Sequence, residues 1–275
     1  MRRTSGARRG PLTLLATTLL AVVALTLPAA PGAAAEPRAT GEATDATCEP
    51  RVAADTRQGA DQLLSLIGGL RAKGHDDAEI DQRLASFACL SRVDRPGGAG
   101  ATTEIPPADQ VNVTAPAVYS IGQVNGKERW VAFAEWNWNS VPGQPMTGNQ
   151  AVATWFDTEV SPVLQVVHYA GNTSAFPNVS REDATDVNGW GVGFLIWPEK
   201  SGGDMNVATG SLAMVFEGQG ACTNLTARSA FAHTWNNTGI NGLTVGAGGV
   251  GYDWTDQIDR ALTVSQPTTV SGICP

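Results

Sequence analysis

RWVAFAEWNW, Arg129 to Trp138, alternates two kinds of side chain. Trp130, Ala132, Ala134, Trp136 and Trp138 fall on one side, and Val131, Phe133, Glu135 and Asn137 on the other. A period of two belongs to an extended strand, whose successive Cβ atoms point to opposite faces. The pattern returns downstream in AVATWF (151–156), VLQVVHYA (163–170), GWGVGFLIW (189–197), GSLAMVF (210–216) and RSAFAHTW (228–235). LTV (243–245), VGYDW (250–254) and ALTV (261–264) follow, with Gly, Pro, Asn and Asp between the segments. Roughly eight to ten short strands over 111–275, with no long helical stripe, predict a mainly β chain: an antiparallel β-sandwich or jelly-roll-like domain.

Upstream the period changes. Leu63, Leu64, Ile67 and Leu70 form one helical stripe, and Ile80, Leu84, Phe87 and Ala88 form another. Gly74 suits the end of the first helix, while Asp76 with Glu79 makes a capping box for the second. Residues 36–94 therefore read as an antiparallel α-helical hairpin that must dock on something, since two helices alone bury too little surface. RPGGAGATTEIPPADQ, 95–110, carries no periodicity and reads as a linker.

At the start, Arg2, Arg3, Arg8 and Arg9 precede an apolar run from Leu12 to Leu27, and Ala33-Ala34-Ala35 supplies small residues for cleavage. Residues 1–35 read as a signal peptide, the run being too short and too rich in threonine to span a membrane comfortably. Beyond it stand 14 basic and 26 acidic residues, a net charge of −12. With no basic cluster, nucleic acid is excluded as a partner and a membrane surface is disfavoured. Four cysteines in an exported chain imply two disulfides, and local pairing gives Cys48–Cys89, clamping the helical hairpin, and Cys222–Cys274.

GAGGVG, Gly246 to Gly251, has the G-x-G-x-x-G spacing of a dinucleotide turn. Only 24 residues follow it, with no room for the helix and acidic residue of a βαβ unit, so no cofactor is implied. A β-hairpin explains the glycines better. A turn at Gly248-Gly249 pairs Ala247 with Val250, Val245 with Tyr252 and Leu243 with Trp254, making one apolar face. Its two strands, Ile240–Ala247 and Val250–Gln257, fall short of the roughly 9 to 11 residues of a spanning β-strand.

Candidate chemistry is sparse. Trp136, Asn137 and Trp138 could form a sugar-binding face, with the rings stacking on a pyranose, or the tryptophans could fill the core. Glu135 and Glu217 could act as the carboxylate pair of a glycoside hydrolase. Asp183, Asp186 and Asn188 could offer oxygens to Ca²⁺, although an Asx turn accounts for them without an ion. His233 shares a strand face with Phe231 and Trp235, a core setting, and Ser229 is too far along the strand to be its nucleophile. Three functions follow in order of preference. The first is a secreted, non-catalytic module binding a glycan, cell-wall polymer or protein. A secreted glycosidase and a membrane-active protein working through the Gly248-Gly249 hairpin come next.

Overall fold

The computed structural model describes residues 48–96, 110–139, 146–171, 179–198 and 206–275, all within the unit Ala46–Pro275. The leader at 1–35 and most of the linker, 97–109, lie outside the described residues. Two helices come first, α1 (Arg57–Arg71) and α2 (Asp77–Ala88). The strands are β1 (Ser91–Arg92), β2 (Asp94–Pro96), β3 (Val111–Val113), β4 (Ala117–Val124), β5 (Lys127–Trp138), β6 (Gln150–Phe156), β7 (Val160–Ala170) and β8 (Asp186–Asn188). They continue as β9 (Gly191–Ile196), β10 (Thr209–Gly218), β11 (Thr223–Thr234), β12 (Ile240–Gly246), β13 (Gly249–Trp254), β14 (Arg260–Val264) and β15 (Thr268–Ile273).

Every strand pairing among the described residues is antiparallel. One sheet runs β1-β4-β5-β10-β7, with β3 also on β5; the other runs β2-β15-β11-β6-β9-β8, with β14 also on β11. The two sheets face each other across a core that takes the tryptophan side of β5. Trp130, Trp136 and Trp138 meet Phe156, Phe216 and Phe231 there, at ring separations of 5.5 to 6.1 Å for the Trp–Phe pairs. The other side of β5, with Val131 and Phe133, faces α1 and α2 through Leu63, Leu64, Ile67, Ile80 and Leu84. The helices thus dock on the outer face of the first sheet. A strand covered on both faces loses the in–out alternation of an exposed sheet, and β6 is buried at all seven positions.

The local signals of the helical hairpin are realised. Thr56 caps α1 by accepting from Gly59 N at 3.0 Å, and Asp76 and Glu79 form the reciprocal capping box of α2. The Cys48–Cys89 disulfide ties the chain ahead of α1 to the end of α2. Cys222–Cys274 joins the start of β11 to the end of β15. Each closes a loop whose entropy in the unfolded chain is worth about 4 kcal/mol.

Two boundaries read from the sequence move. Ser91 and Asp94 already belong to strands, so the helical region hands over to the sheets before residue 94. Arg95 and Pro96 are not linker but pair with Thr269 and Thr268 of β15.

The glycine hairpin turns at Ala247-Gly248, not at Gly248-Gly249. The observed pairs are Gly246–Gly249, Val245–Val250, Thr244–Gly251 and Leu243–Tyr252. The cause is backbone geometry: Gly249 has φ +134°, which an L side chain rarely adopts, and it serves as the first paired residue after the turn. This shift moves each residue's partner by two positions, which preserves the faces; a slip of one would have exchanged them. Ile240, Leu243 and Val245, with Val250, Tyr252 and Trp254 beside them, therefore still share the apolar side. They lie on the outer face of the second sheet, against Ala151, Trp155, Ala230, Leu262 and Val264. Thr244, Gly251 and Asp253 face outward.

Candidate functional site

The structure separates the residues that the sequence had grouped. Trp136 is 2% exposed and donates from Nε1 to the Val207 carbonyl at 3.0 Å. Trp138, 8% exposed, sits edge-on to His233 at 4.7 Å. Only Asn137 reaches the surface, where Asn112 Nδ2 donates to it at 3.3 Å. Neither ring is open to a sugar, because the strand's alternation aims both into the sandwich. The stacking face of Trp136, Asn137 and Trp138 is therefore replaced by a core reading.

The Glu135/Glu217 pair fails on distance. Arg129 stands opposite Glu217 in the ladder, and Glu135 lies six residues along β5 from Arg129. At about 3.4 Å per residue the two glutamates stand about 20 Å apart, far beyond the roughly 5 to 9.5 Å of working glycosidase carboxylates. Each is also neutralised locally. Glu135 accepts from Arg71 Nε at 2.9 Å, and burial raises its pKa against the opposing pull of Arg71. Glu217 accepts from Lys127 Nζ and Arg129 Nε, both at 2.9 Å, and the Lys127 hydrogen bond leads in holding its pKa down.

Asp183, Asp186 and Asn188 do not converge on an ion either. The Asp183 side chain is 98% exposed and pairs with Arg57 at 3.5 Å. Asp186 Oδ2 accepts from Val245 N at 2.7 Å, and Asn188 Nδ2 donates to Val245 O at 3.0 Å, so both pin the glycine hairpin to β8. Asn188 Oδ1 accepts from Trp190 N at 2.8 Å, the Asx turn that the residue types favour. Among the described residues no group of three or more His, Cys, Asp or Glu could hold a metal.

The folded chain assembles polar clusters that were invisible in the sequence. Asp61 of α1 reaches His168 of β7, Oδ1 to Nε2 at 2.6 Å, across 107 residues, and Arg181 Nε lies 3.1 Å from the same nitrogen. Asp81 of α2 accepts from Tyr119 Oη at 2.5 Å, and Arg92 joins Asp81 to Asp94. These contacts seat the helical hairpin. His168 is buried, and burial lowers its pKa from the usual 6.5 despite its hydrogen bond to Asp61. A depressed histidine binds protons more readily in the unfolded chain, so its contribution is complete above 6.5 and declines as pH falls below it. Glu135, with its raised value, contributes with the opposite sign above the carboxylate range. The thermal midpoint of His168→Gln should therefore lose pH dependence, relative to the parent, between about pH 7 and about pH 5. Parallel curves for the two proteins would assign the pH dependence elsewhere.

Two cavities stand out among the described residues. A cleft of about 240 Å³ lies under the helices, walled by Arg71, Glu135, Asp81, Arg92, Asp94 and Tyr119. Those groups bind one another, so the cleft is the seam of the docked hairpin. The second is a groove of about 530 Å³ on the outer face of the second sheet. Its floor is Trp155 of β6 with Arg228 and Ala230 of β11; Leu262 and Val264 of β14 form one wall, and Val250 and Tyr252 of β13 the other. The Ala247-Gly248-Gly249 turn closes it, with Thr226 and Asp157 at the rim. Asp157 Oδ1 is fixed there by Thr226 N at 2.6 Å. Aromatic rings, small residues that allow close approach, and a few oriented polar groups are the make-up of a small-ligand site. The glycine segment that looked like a nucleotide motif helps to shape this groove.

Fold and groove together define a disulfide-stapled β-sandwich with a surface groove between its second sheet and an added hairpin. No protein-family model matches the chain, and no curated protein matches it. Among solved structures it aligns with one combining manganese lipoxygenase of Gaeumannomyces graminis and part of zonadhesin of Komagataella pastoris. Identity is 11% over 59% of this chain and 52% of that one, with a TM-score of 0.24, a likeness too low to inform function.

Proposed function

We propose that the protein acts outside the cell as a non-catalytic binding module that holds a saccharide in the groove between β13 and β14. The observation that carries this reading is the groove itself, about 530 Å³ with the Tyr252 ring in its wall and Arg228, Asp157 and Thr226 as its polar groups. Sugars offer an apolar ring face to aromatic side chains and hydroxyls to charged, planar ones. Two disulfides fit an oxidising, extracellular setting. No helix among the described residues is long and apolar enough to cross a membrane. The apolar face of the glycine hairpin is occupied by the second sheet, which weighs against a membrane-inserting role.

Binding to a panel of soluble oligosaccharides and insoluble polysaccharides, read by calorimetry and pull-down, tests the proposal. Arg228→Ala should weaken the best ligand by about 10- to 100-fold, the loss of a hydrogen bond to a charged group. Unchanged affinity in that variant would move the site elsewhere, and failure of every saccharide to bind would end the reading.

A further inference from the structure

Tyr252 of β13 lines the groove, and Arg260 lies on β14 two residues from Leu262, which lines it too; each has a buried polar atom without a hydrogen-bond partner among the described residues. One is the Tyr252 hydroxyl on β13, and the other is Arg260 Nε on β14. Trp254 connects them: its ring lies 5.4 Å from the Tyr252 ring, and the Arg260 guanidinium sits 5.4 Å from its centroid. No described carboxylate pairs with Arg260, in a molecule where Arg57, Arg71, Arg92, Arg129 and Arg181 all hold acidic partners.

An unpaired buried donor destabilises a fold by about 1 to 3 kcal/mol, a cost that a ligand oxygen accepting from it would remove. Both can donate to an oxygen. Burial raises the Tyr252 pKa, which keeps its proton in place at ordinary pH. Arg260 adds a full positive charge that its stacking on Trp254 orients. We infer that the ligand is an anionic saccharide of the uronic acid class, its carboxylate received at Arg260 and a neighbouring ring oxygen or hydroxyl at Tyr252. This rests on the groove being the saccharide site and adds the chemical class of the sugar.

An oligogalacturonate and its methyl ester share one backbone and differ in charge, so they are the probes. The parent protein should bind the acid at least roughly tenfold more tightly than the ester. Arg260→Gln should abolish that preference, while Arg228→Ala weakens both ligands. Tyr252→Phe removes an unpaired hydroxyl, so it should keep or raise the thermal midpoint while weakening the acid roughly tenfold. Equal binding of acid and ester by the parent would overturn the inference while leaving the groove in place. So would a neutral sugar that binds in a manner sensitive to Arg228→Ala alone. If Tyr252→Phe lowers the midpoint, the hydroxyl has a structural partner and its proposed role is lost. Failure of acid, ester and every neutral saccharide would remove both the inference and the reading beneath it.

Discussion

Trp136→Ala should cost about 3 to 5 kcal/mol of folding stability, measured by chemical denaturation, the range for deleting a large buried aromatic. The ring is fully enclosed by the two sheets and tilts against Phe231 at 5.5 Å. Its Nε1 hydrogen bond to Val207 would be lost, leaving that carbonyl to find another donor. The fit on its other side is close: a Cβ added at Gly210, across the ladder on β10, would come 2.2 Å from Trp136 Cζ2. Glycine at 210 is thus what makes room for the indole. This outcome distinguishes a core residue from a binding platform, because a platform would lose ligand affinity and keep its stability. A variant as stable as the parent would contradict the packing described here.

Arg129→Met should destabilise the protein by about 3 to 5 kcal/mol, because it strands buried charge. Arg129 donates to Asp55 at 2.6 Å through Nη1 and to Glu217 at 2.9 Å through Nε, with all three side chains largely enclosed. Without it, Glu217 keeps Lys127, whereas Asp55 loses its guanidinium partner. Adding Asp55→Asn should recover part of the loss, since the stranded charge disappears with it. Denaturation of the single and double variants measures this coupling. If the two changes add, the Asp55–Arg129 pair is not the anchor between the helical region and β5.

How much of this was readable in the chain differs from element to element. Both helices, the capping box at Asp76 and the local disulfide pairing follow from signals within a few dozen residues. The alternation in β5 also gave the correct faces. What it did not say was that both faces would be covered, one by Phe231 and its neighbours and the other by α1 and α2. Asn125-Gly126, the turn between β4 and β5 with φ of +54° and +80°, was a strong hairpin signal that would have located β4. The glycine hairpin was found with its faces right and its turn one residue late, because turn position depends on backbone angles and faces depend only on parity.

The site was less accessible, and for a physical reason. A tryptophan beside polar residues is compatible with a sugar platform or a core, and only the layer that covers it decides between them. The groove draws on β6, β11, β13 and β14, which meet through ladders and packing rather than through local spacing. Arg260 and Tyr252 are unremarkable in the chain and become informative once the fold buries their polar atoms. By itself the sequence determined period, caps, charge and the cysteine inventory, since these depend on near neighbours along the backbone. The tertiary structure alone decided which faces are buried, how far apart Glu135 and Glu217 stand, and which polar groups are left for a ligand. Those depend on solvent exclusion by segments distant in the chain.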